Sequence, residues 1–416
     1  MHVSPPLRWF FLDMNSFFAS CEQYDDPSLR GRPVGVCPIL AESGAIVAAS
    51  YEAKARGVRM MRVAEARKIC PEIELRQARP ARYVELHHAV AASIEKHLPI
   101  TKAYSIDEWA IELLGQERQR DRAEALAKRI KQQVHDDFGG ALPCSVGIAP
   151  SRLLAKTACE LYKPDGLTVL TMDQMPEILQ PMELTDIPGV GSGMSARLRQ
   201  QDVATPADLW ALAKADCRRI WGSVQGEYFW MGFHGQHAEE VKTRRSSMGH
   251  AHMLPPQYRN DEGAHGIMTR LLCKAVMRCR RDGYFAHRLR ISVSFVSGQH
   301  WADEVELPAV HDTPTVLEHF ERLWRRRPWQ TIPGGSAGEL PRKVSVDLGG
   351  LTPANSTPGH LFAQTEKSDK LSQVIDRVNR KFKAHALHPG SMTHVVDYTM
   401  DDKIAFGRIP EQDIAM

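Results

Sequence analysis

Three carboxylates stand in apolar surroundings where a folded chain rarely leaves charge. Asp13 ends the run "WFFLD", and Asp107 and Glu108 lie side by side in "AYSIDEWAIELL". A carboxylate at a strand end, at the edge of a sheet, is a common ligand for hard divalent cations. On a regular strand neighbouring side chains face opposite ways, so Asp107 and Glu108 converge only at a turn or bulge. If that turn lies beside the Asp13 strand, three acids meet at one edge and repel one another unless cations neutralise them. Two Mg²⁺ ions roughly 3.5–4 Å apart would clamp the attacking and leaving oxygens of an in-line phosphoryl displacement. Phosphoryl transfer is therefore the chemistry to expect. Plainer alternatives stand beside it: Asp13 as the cap of the next helix, and Asp107–Glu108 as an exposed hairpin tip.

Cations and glycines add to this pattern. In "YEAKARGV", Tyr51 and Lys54 are i and i+3 on a helix, so both can face one ligand such as a polyphosphate, or they form a solvated basic face. Lys163, in "LYKPDGL", can reach a triphosphate or simply decorate its turn. "DIPGVGSGMSARL" supplies Gly189, Gly191 and Gly193 for a tight turn between two short helices. Its amides would hold a nucleic-acid phosphate without reading sequence, as in a helix-hairpin-helix; a generic αα-hairpin is the alternative.

The elements that must position these residues follow from periodicity. Arg8 to Asp13 reads as a strand covered on both faces, followed by a helix capped by Ser16 and ended near Pro27 and Gly31. A small-residue strand near Ala45–Ala49 and a helix stopped by Pro71 come next. A helix over 81–98, a β pair around "SIDE", an amphipathic helix with Leu126, Ile130 and Val134 on one stripe, and the strand "PCSVGIA" complete the segment. That order is the one a split βαβ, ferredoxin-like sheet requires. From Met175 the pattern turns helical, and "VKTRRSSMGHAHMLPPQ" reads as a basic linker to a second α+β unit. There Leu289, Ile291, Val293 and Phe295 alternate with polar residues including Arg288 and Arg290, "RKVSVDL" is the expected partner strand, and an amphipathic helix at 370–382 precedes a polar tail.

The 416 residues suggest two to four domains, and 43% hydrophobic with 25% charged residues describes globular domains. A net charge of +3 permits a polyanionic partner without demanding one. Eight cysteines without a C-x-x-C pair point to neither zinc nor a disulfide framework, and to a reducing cytoplasm. No stretch approaches the roughly 18 apolar residues of a spanning helix, so no membrane association is expected.

Taken in order, "LDMNSFFASCE", "YEAKARGV", "YSIDE", "SVGIAPSRLLAKTACELYKPDGL" and "DIPGVG" resemble the motifs of the Y-family, or translesion, DNA polymerases, over roughly Trp9 to Leu351. The resemblance implies an α+β right hand. Its palm would take residues 1–16 and 81–170, its fingers 17–80, its helix-hairpin-helix thumb 171–240 and its DNA-binding little finger 241–350, with a C-terminal tail at 351–416. It further implies metal ligation by Asp13, Asp107, Glu108 and the Met14 carbonyl. Nucleotide contacts would come from Phe17, Phe18, Tyr51, Lys54 and Lys163, with the Phe18 ring as the steric gate against a ribose 2′-OH. Primer–template DNA, deoxynucleoside triphosphates and two Mg²⁺ ions are the implied partners. Lys54 and Ala48 depart from the family's frequent Arg and hydroxyl residue; Lys neutralises charge but lacks the bidentate fork. These departures, with "NSFFASCE" in place of a second Asp, lean towards the polymerase V catalytic subunit, whereas "VGIAPSRLLAKTA" leans towards polymerase IV. Leu361 and Phe362 in "PGHLF" are candidate anchors for a sliding clamp, although Pro358 stands where Gln is expected. A catalytically inactive DNA-binding accessory factor and a nucleotide cyclase are the rival functions.

Overall fold

The computed structural model describes residues 5–42, 44–237, 244–329, 340–354, 364–382 and 386–396, and the chain divides into two compact units, Met1–Glu240 and Val241–Met400. The first unit begins with β1 (Trp9–Met14), buried at every position, and passes at once into α1 (Phe17–Asp25). A small sheet follows, made of β2 (Val34–Cys37), β3 (Ala48–Ala49) and β4 (Glu74–Gln77) in the order β3-β2-β4, with α2 (Tyr51–Ala55) and α3 (Val63–Ile69) between its strands. The chain then returns through α4 (Pro80–Glu95), β5 (Lys102–Ser105), β6 (Glu108–Glu112), α5 (Arg120–Phe138), β7 (Cys144–Ala149), α6 (Arg152–Leu161) and β8 (Leu167–Val169).

The main sheet runs β5-β6-β1-β7-β8, and its first four strands have the expected split βαβ order. Because side chains alternate along a strand, β1 feeds two cores. Phe10, Leu12 and Met14 pack with Tyr83, Leu86, Val90 and Ile94 of α4 and with Leu126, Ile130 and Val134 of α5. Trp9 and Phe11 face the other way, against Leu154, Ala155, Ala158 and Cys159 of α6. By the same parity Asp13 lies on the α6 face. Gly147 in β7 lets α6 lie close, since a Cβ there would overlap the Ala155 carbonyl and the Cys159 amide. Four short helices, α7 (Ser192–Arg199), α8 (Pro206–Ala211), α9 (Lys214–Trp221) and α10 (Gln225–Phe233), extend that second core through Leu198, Leu209, Ile220 and Phe233.

The second unit is built from β9 (Ser247–Met253), α11 (Asp261–Arg281), β10 (Tyr284–Phe295), β11 (His300–Val310), α12 (Thr313–Arg325), β12 (Pro341–Gly349), β13 (Thr352–Pro353) and α13 (Gln364–Phe382). Its sheet runs β11-β10-β12-β9, with β13 pairing the start of β10. Leu289, Ile291, Val293 and Phe295 are buried with residues of α11 and α12, and "RKVSVDL" pairs with β10 on the side opposite β11.

Two expectations are corrected. The stretch read as a linker contains β9, whose Met248 and His252 are buried while Ser247, Gly249 and Ala251 are exposed; with histidine at inward positions, the strand looks like a polar loop in sequence. The segment after Leu351 is more than a tail. Met392 and Val395, three residues apart in a single 3₁₀ turn (Gly390–Val395), are buried in the second core, and α13 starts earlier than expected, at Gln364. Among the described residues no helix is long and apolar enough to cross a membrane, and the eight cysteines are unpaired.

Candidate active site

The carboxylates are brought together by backbone pairing. Asp13 stands directly opposite Glu108 in the antiparallel β1–β6 register, and the Met14 amide donates to the Asp107 carbonyl (2.9 Å). The β5–β6 turn is packed down rather than exposed: Ile106 is fully buried, and its carbonyl accepts from His87 Nδ1 on α4 (2.7 Å). The hairpin-tip alternative is therefore not what the fold adopts.

Burial pushes the Asp13 carboxyl up to about 7, with Glu160 and Asp107 acting the same way against the pull of Lys163. Asp107 is also raised, chiefly by burial, against the hydrogen bond it accepts from Ser105 Oγ (2.5 Å). Each outer acid carries a lysine. Lys163 Nζ donates to Asp13 Oδ1 and Glu160 Oε1, both at 2.8 Å. Burial alone would lower the Lys163 pKa, but Asp13 and Glu160 outweigh it and hold the ammonium charged beyond its ordinary range. Lys156 Nζ donates to both oxygens of Glu108 (2.7 Å each) and lies 5.4 Å from the Phe11 ring centroid. Sequence reasoning passed over Lys156. Its one signal was an i, i+4 pairing with Glu160 on a largely apolar helix.

The other expected nucleotide contacts converge from α1 and α2. Lys54 Nζ lies 4.4 Å from the Tyr51 ring centroid and donates to Ser16 Oγ (2.7 Å). Burial raises the Tyr51 hydroxyl, and the charges of Lys163 and Asp13 act on it next, so α2 borders the same site. Ser16 does not cap α1 through its side chain. It sits at φ 51°, in the left-handed region, and its hydroxyl serves Lys54 instead. Phe17 and Phe18 are both buried in the core of the α4 and α5 face. The Phe18 ring stacks on Tyr83 at 4.5 Å and 13°, and the Tyr83 hydroxyl donates to Glu22 (2.7 Å).

The glycine-rich turn borders α6. Gly189 adopts φ +91°, while a Cβ on Gly191 or Gly193 would meet nothing within 4 Å. Gly191 precedes α7, and Gly193 lies within its first turn. A cavity of about 590 Å³ is lined by Lys156, Glu160, Met182, Asp186, Gly189 and Gly191. Arg288 and Arg290 belong to the second unit, on the open face of its sheet. Their cross-strand partners Glu306, Glu304 and Asp347 make that face mixed rather than purely basic. Leu361 and Phe362 lie outside the described residues.

Among the described residues no three His, Cys, Asp or Glu side chains are already arranged to hold a metal ion. The donor set nevertheless fits a hard divalent cation. It is all oxygen, burial holds two of its carboxyls above their usual range, and lysine ammonium groups already bind Asp13 and Glu108.

Residues 12–160 match the impB/mucB/samB family, and residues 245–361 match the C-terminal domain of the same family. The chain is 32% identical over 394 residues to DNA polymerase IV of Moorella thermoacetica, covering 93% of this chain and 96% of that protein. Against DNA polymerase IV 1 of Bacillus subtilis it is 28% identical over 397 residues, 92% of each. Among solved structures, a Y-family DNA polymerase chimera, Dbh-Dpo4(243-245)-Dbh, superposes with a TM-score of 0.67 at 23% identity, over 83% of this chain and 99% of that one. The insertion ternary complex of Dbh DNA polymerase gives 0.54 at 22% identity, over the same shares.

Proposed function

The chain belongs to the impB/mucB/samB family of Y-family, translesion DNA polymerases, and on that premise we propose how its residues carry out template-directed addition of deoxynucleotides to a primer 3′-OH. It is a DNA-directed DNA polymerase that binds primer–template DNA; the nucleotide, metal and clamp assignments are our reading. Asp13, Asp107, Glu108 and the Met14 carbonyl would hold two Mg²⁺ ions, which when bound lower the pKa of the 3′-OH and stabilise the departing pyrophosphate. Lys163, Lys54 and Tyr51 bind the triphosphate, the two ammonium groups offsetting charge that builds on its oxygens during transfer. Lys163, hydrogen-bonded to Asp13, would turn to the triphosphate once metal offsets the Asp13 charge, and Lys156 would likewise release Glu108.

Phe18 sits under the sugar, held by Tyr83, and excludes a 2′-OH, while Phe17 packs and offers its amide. Amides of the Gly189–Gly193 turn and the open-face Arg288 and Arg290 hold DNA phosphates without sequence preference. Low-fidelity bypass of damaged template bases, cytoplasmic residence and clamp binding through Leu361 and Phe362 complete the reading. Residues 1–16 with 81–170 act as palm, 17–80 as fingers, 171–240 as thumb and 241–350 as little finger.

The observation that supports this most is the Asp13–Glu108 register together with the Met14–Asp107 hydrogen bond, which puts the three acids at one sheet edge facing two lysines. Nothing favours the inactive accessory factor. Asp107→Ala should abolish primer extension on undamaged and lesion-bearing templates while DNA binding persists; extension at the wild-type rate would overturn the assignment.

A further inference from the structure

The turn that carries Lys163 is held from behind by residues with no part in the chemistry just described. Asp165 lies at φ 58°, in the left-handed region where glycine or asparagine is usual. Its N–H donates to Asn15 Oδ1 (2.7 Å). Its carbonyl and one carboxylate oxygen accept from Lys131 Nζ, at 2.6 and 2.7 Å. The same ammonium reaches the carbonyls of Cys144 (2.7 Å) and Gly166 (3.3 Å). An ammonium has three N–H donors, so four protein oxygens leave Lys131 none for a ligand. Its role is to hold the turn. Ser145 completes the arrangement, accepting from Asn15 Nδ2 (3.0 Å) and from the Gly166 amide (3.2 Å). Asn15 and Ser145 are buried, and so is the bond between them, whereas the Asp165 carboxylate that Lys131 holds is exposed.

Two rungs therefore join the segment 13–15 to the segment 163–165. One is Asp13 to Lys163 (2.8 Å) and the other is Asn15 to Asp165 (2.7 Å). The first would give way for Lys163 to reach a triphosphate. The second, with Lys131 behind it, uses no group that the reaction needs.

We propose that Lys131, Asn15 and Ser145 clamp the Asp165–Gly166 turn and thereby keep Lys163 in place for the incoming triphosphate, which makes Lys131, on the α5 side of the sheet, a positioning residue for nucleotide binding. The inference rests on the reading of Lys163 as a triphosphate contact. An Asp rather than a Gly at the left-handed position follows from it, because only Asp adds a carboxylate for Lys131 to hold.

Single-nucleotide extension kinetics test the clamp. Lys131→Met should raise the KM for deoxynucleotide about tenfold with kcat within about twofold, because displacement of one contact weakens binding before it changes chemistry. Primer–template affinity should stay unchanged, and Lys131→Arg, which keeps the charge, should recover part of the loss. Asp165→Gly tolerates the left-handed turn and removes only the carboxylate, so it should raise KM by a smaller factor; it carries the test if Lys131→Met fails to fold. In a Lys163→Ala background, Lys131→Met should add nothing further. An unchanged KM in both Lys131→Met and Asp165→Gly, or a full additional loss in the Lys163→Ala background, would overturn the clamp. The reading beneath it fails separately, if Lys163→Ala alone leaves KM unchanged.

Discussion

In the first unit the strand that carries charge, β1, is buried at every position, whereas in the second unit β10 buries alternate residues and turns Arg288 and Arg290 to an open face. The consequences for charge are opposite. Asp13, taken out of water, has its carboxyl pushed up to about 7 and meets a lysine at 2.8 Å. Arg290 is solvated, and Asp347 and Glu304 stand across from it on the neighbouring strands. A buried carboxylate is a source of binding energy for any cation that reaches it, because the cation relieves a cost already present in the fold. A solvated arginine on a mixed face contributes long-range attraction, is weakened by salt, and matters little singly.

This contrast is broken first at Asp13. Asp13→Asn should lower primer extension by roughly a thousandfold or more, as expected for loss of a metal ligand. It should also make the metal-free protein more stable at pH 8. The raised carboxyl contributes stability below the ordinary carboxylate pKa and loses it as pH rises through about 7; asparagine escapes that loss. The gain should be absent at pH 4, and thermal melting at the two pH values checks the sign. A less stable variant at pH 8 would mean that burial does not dominate at Asp13.

Burial on the Asp13 face depends on how closely α6 packs against the sheet. Gly147→Ala would drive a Cβ into the α6 backbone, costing about 2–4 kcal/mol of unfolding free energy by overpacking. Gly191→Ala, where a Cβ meets nothing within 4 Å, should cost under about 1 kcal/mol, the helix-cap change from Gly to Ala. Denaturant melts read both. On the second sheet, Arg290→Ala should change extension rate least, weakening DNA binding by about two- to threefold near physiological salt and reducing the salt slope by about one. An effect of Arg290→Ala as large as that of Asp13→Asn would erase the distinction between the sheets.

What the sequence revealed follows the same division. Asp13, Asp107 and Glu108 were legible because charge inside apolar β segments is rare, and β10 because its alternation is unbroken. Lys156, Asn15 and Lys131 were not. Lys156 and Lys131 look like ordinary helix lysines, and Asn15 like a turn residue; what distinguishes them are partners such as Glu108, Ser145 and Asp165, which only the fold brings within hydrogen-bonding range. Strand β9 was hidden for a different reason. Its inward positions hold Met248, His250 and His252, and one hydrophobic residue in three inward positions does not make a readable period.

Asp13, Asp107 and Glu108 are proposed to form a cation site, with Lys163 and Lys156 offsetting the charge of Asp13 and Glu108 while no metal is bound. Manganese, standing in for Mg²⁺, can be counted directly by electron paramagnetic resonance on the protein bound to primer–template and a non-reactive deoxynucleotide. At pH 8 the account predicts two bound ions per wild-type chain and fewer for Asp107→Ala. At pH 6 binding should be weaker by about tenfold, because Asp13, with its carboxyl near 7, is then largely protonated. Equal stoichiometry and affinity in wild type and Asp107→Ala, at both pH values, would contradict it.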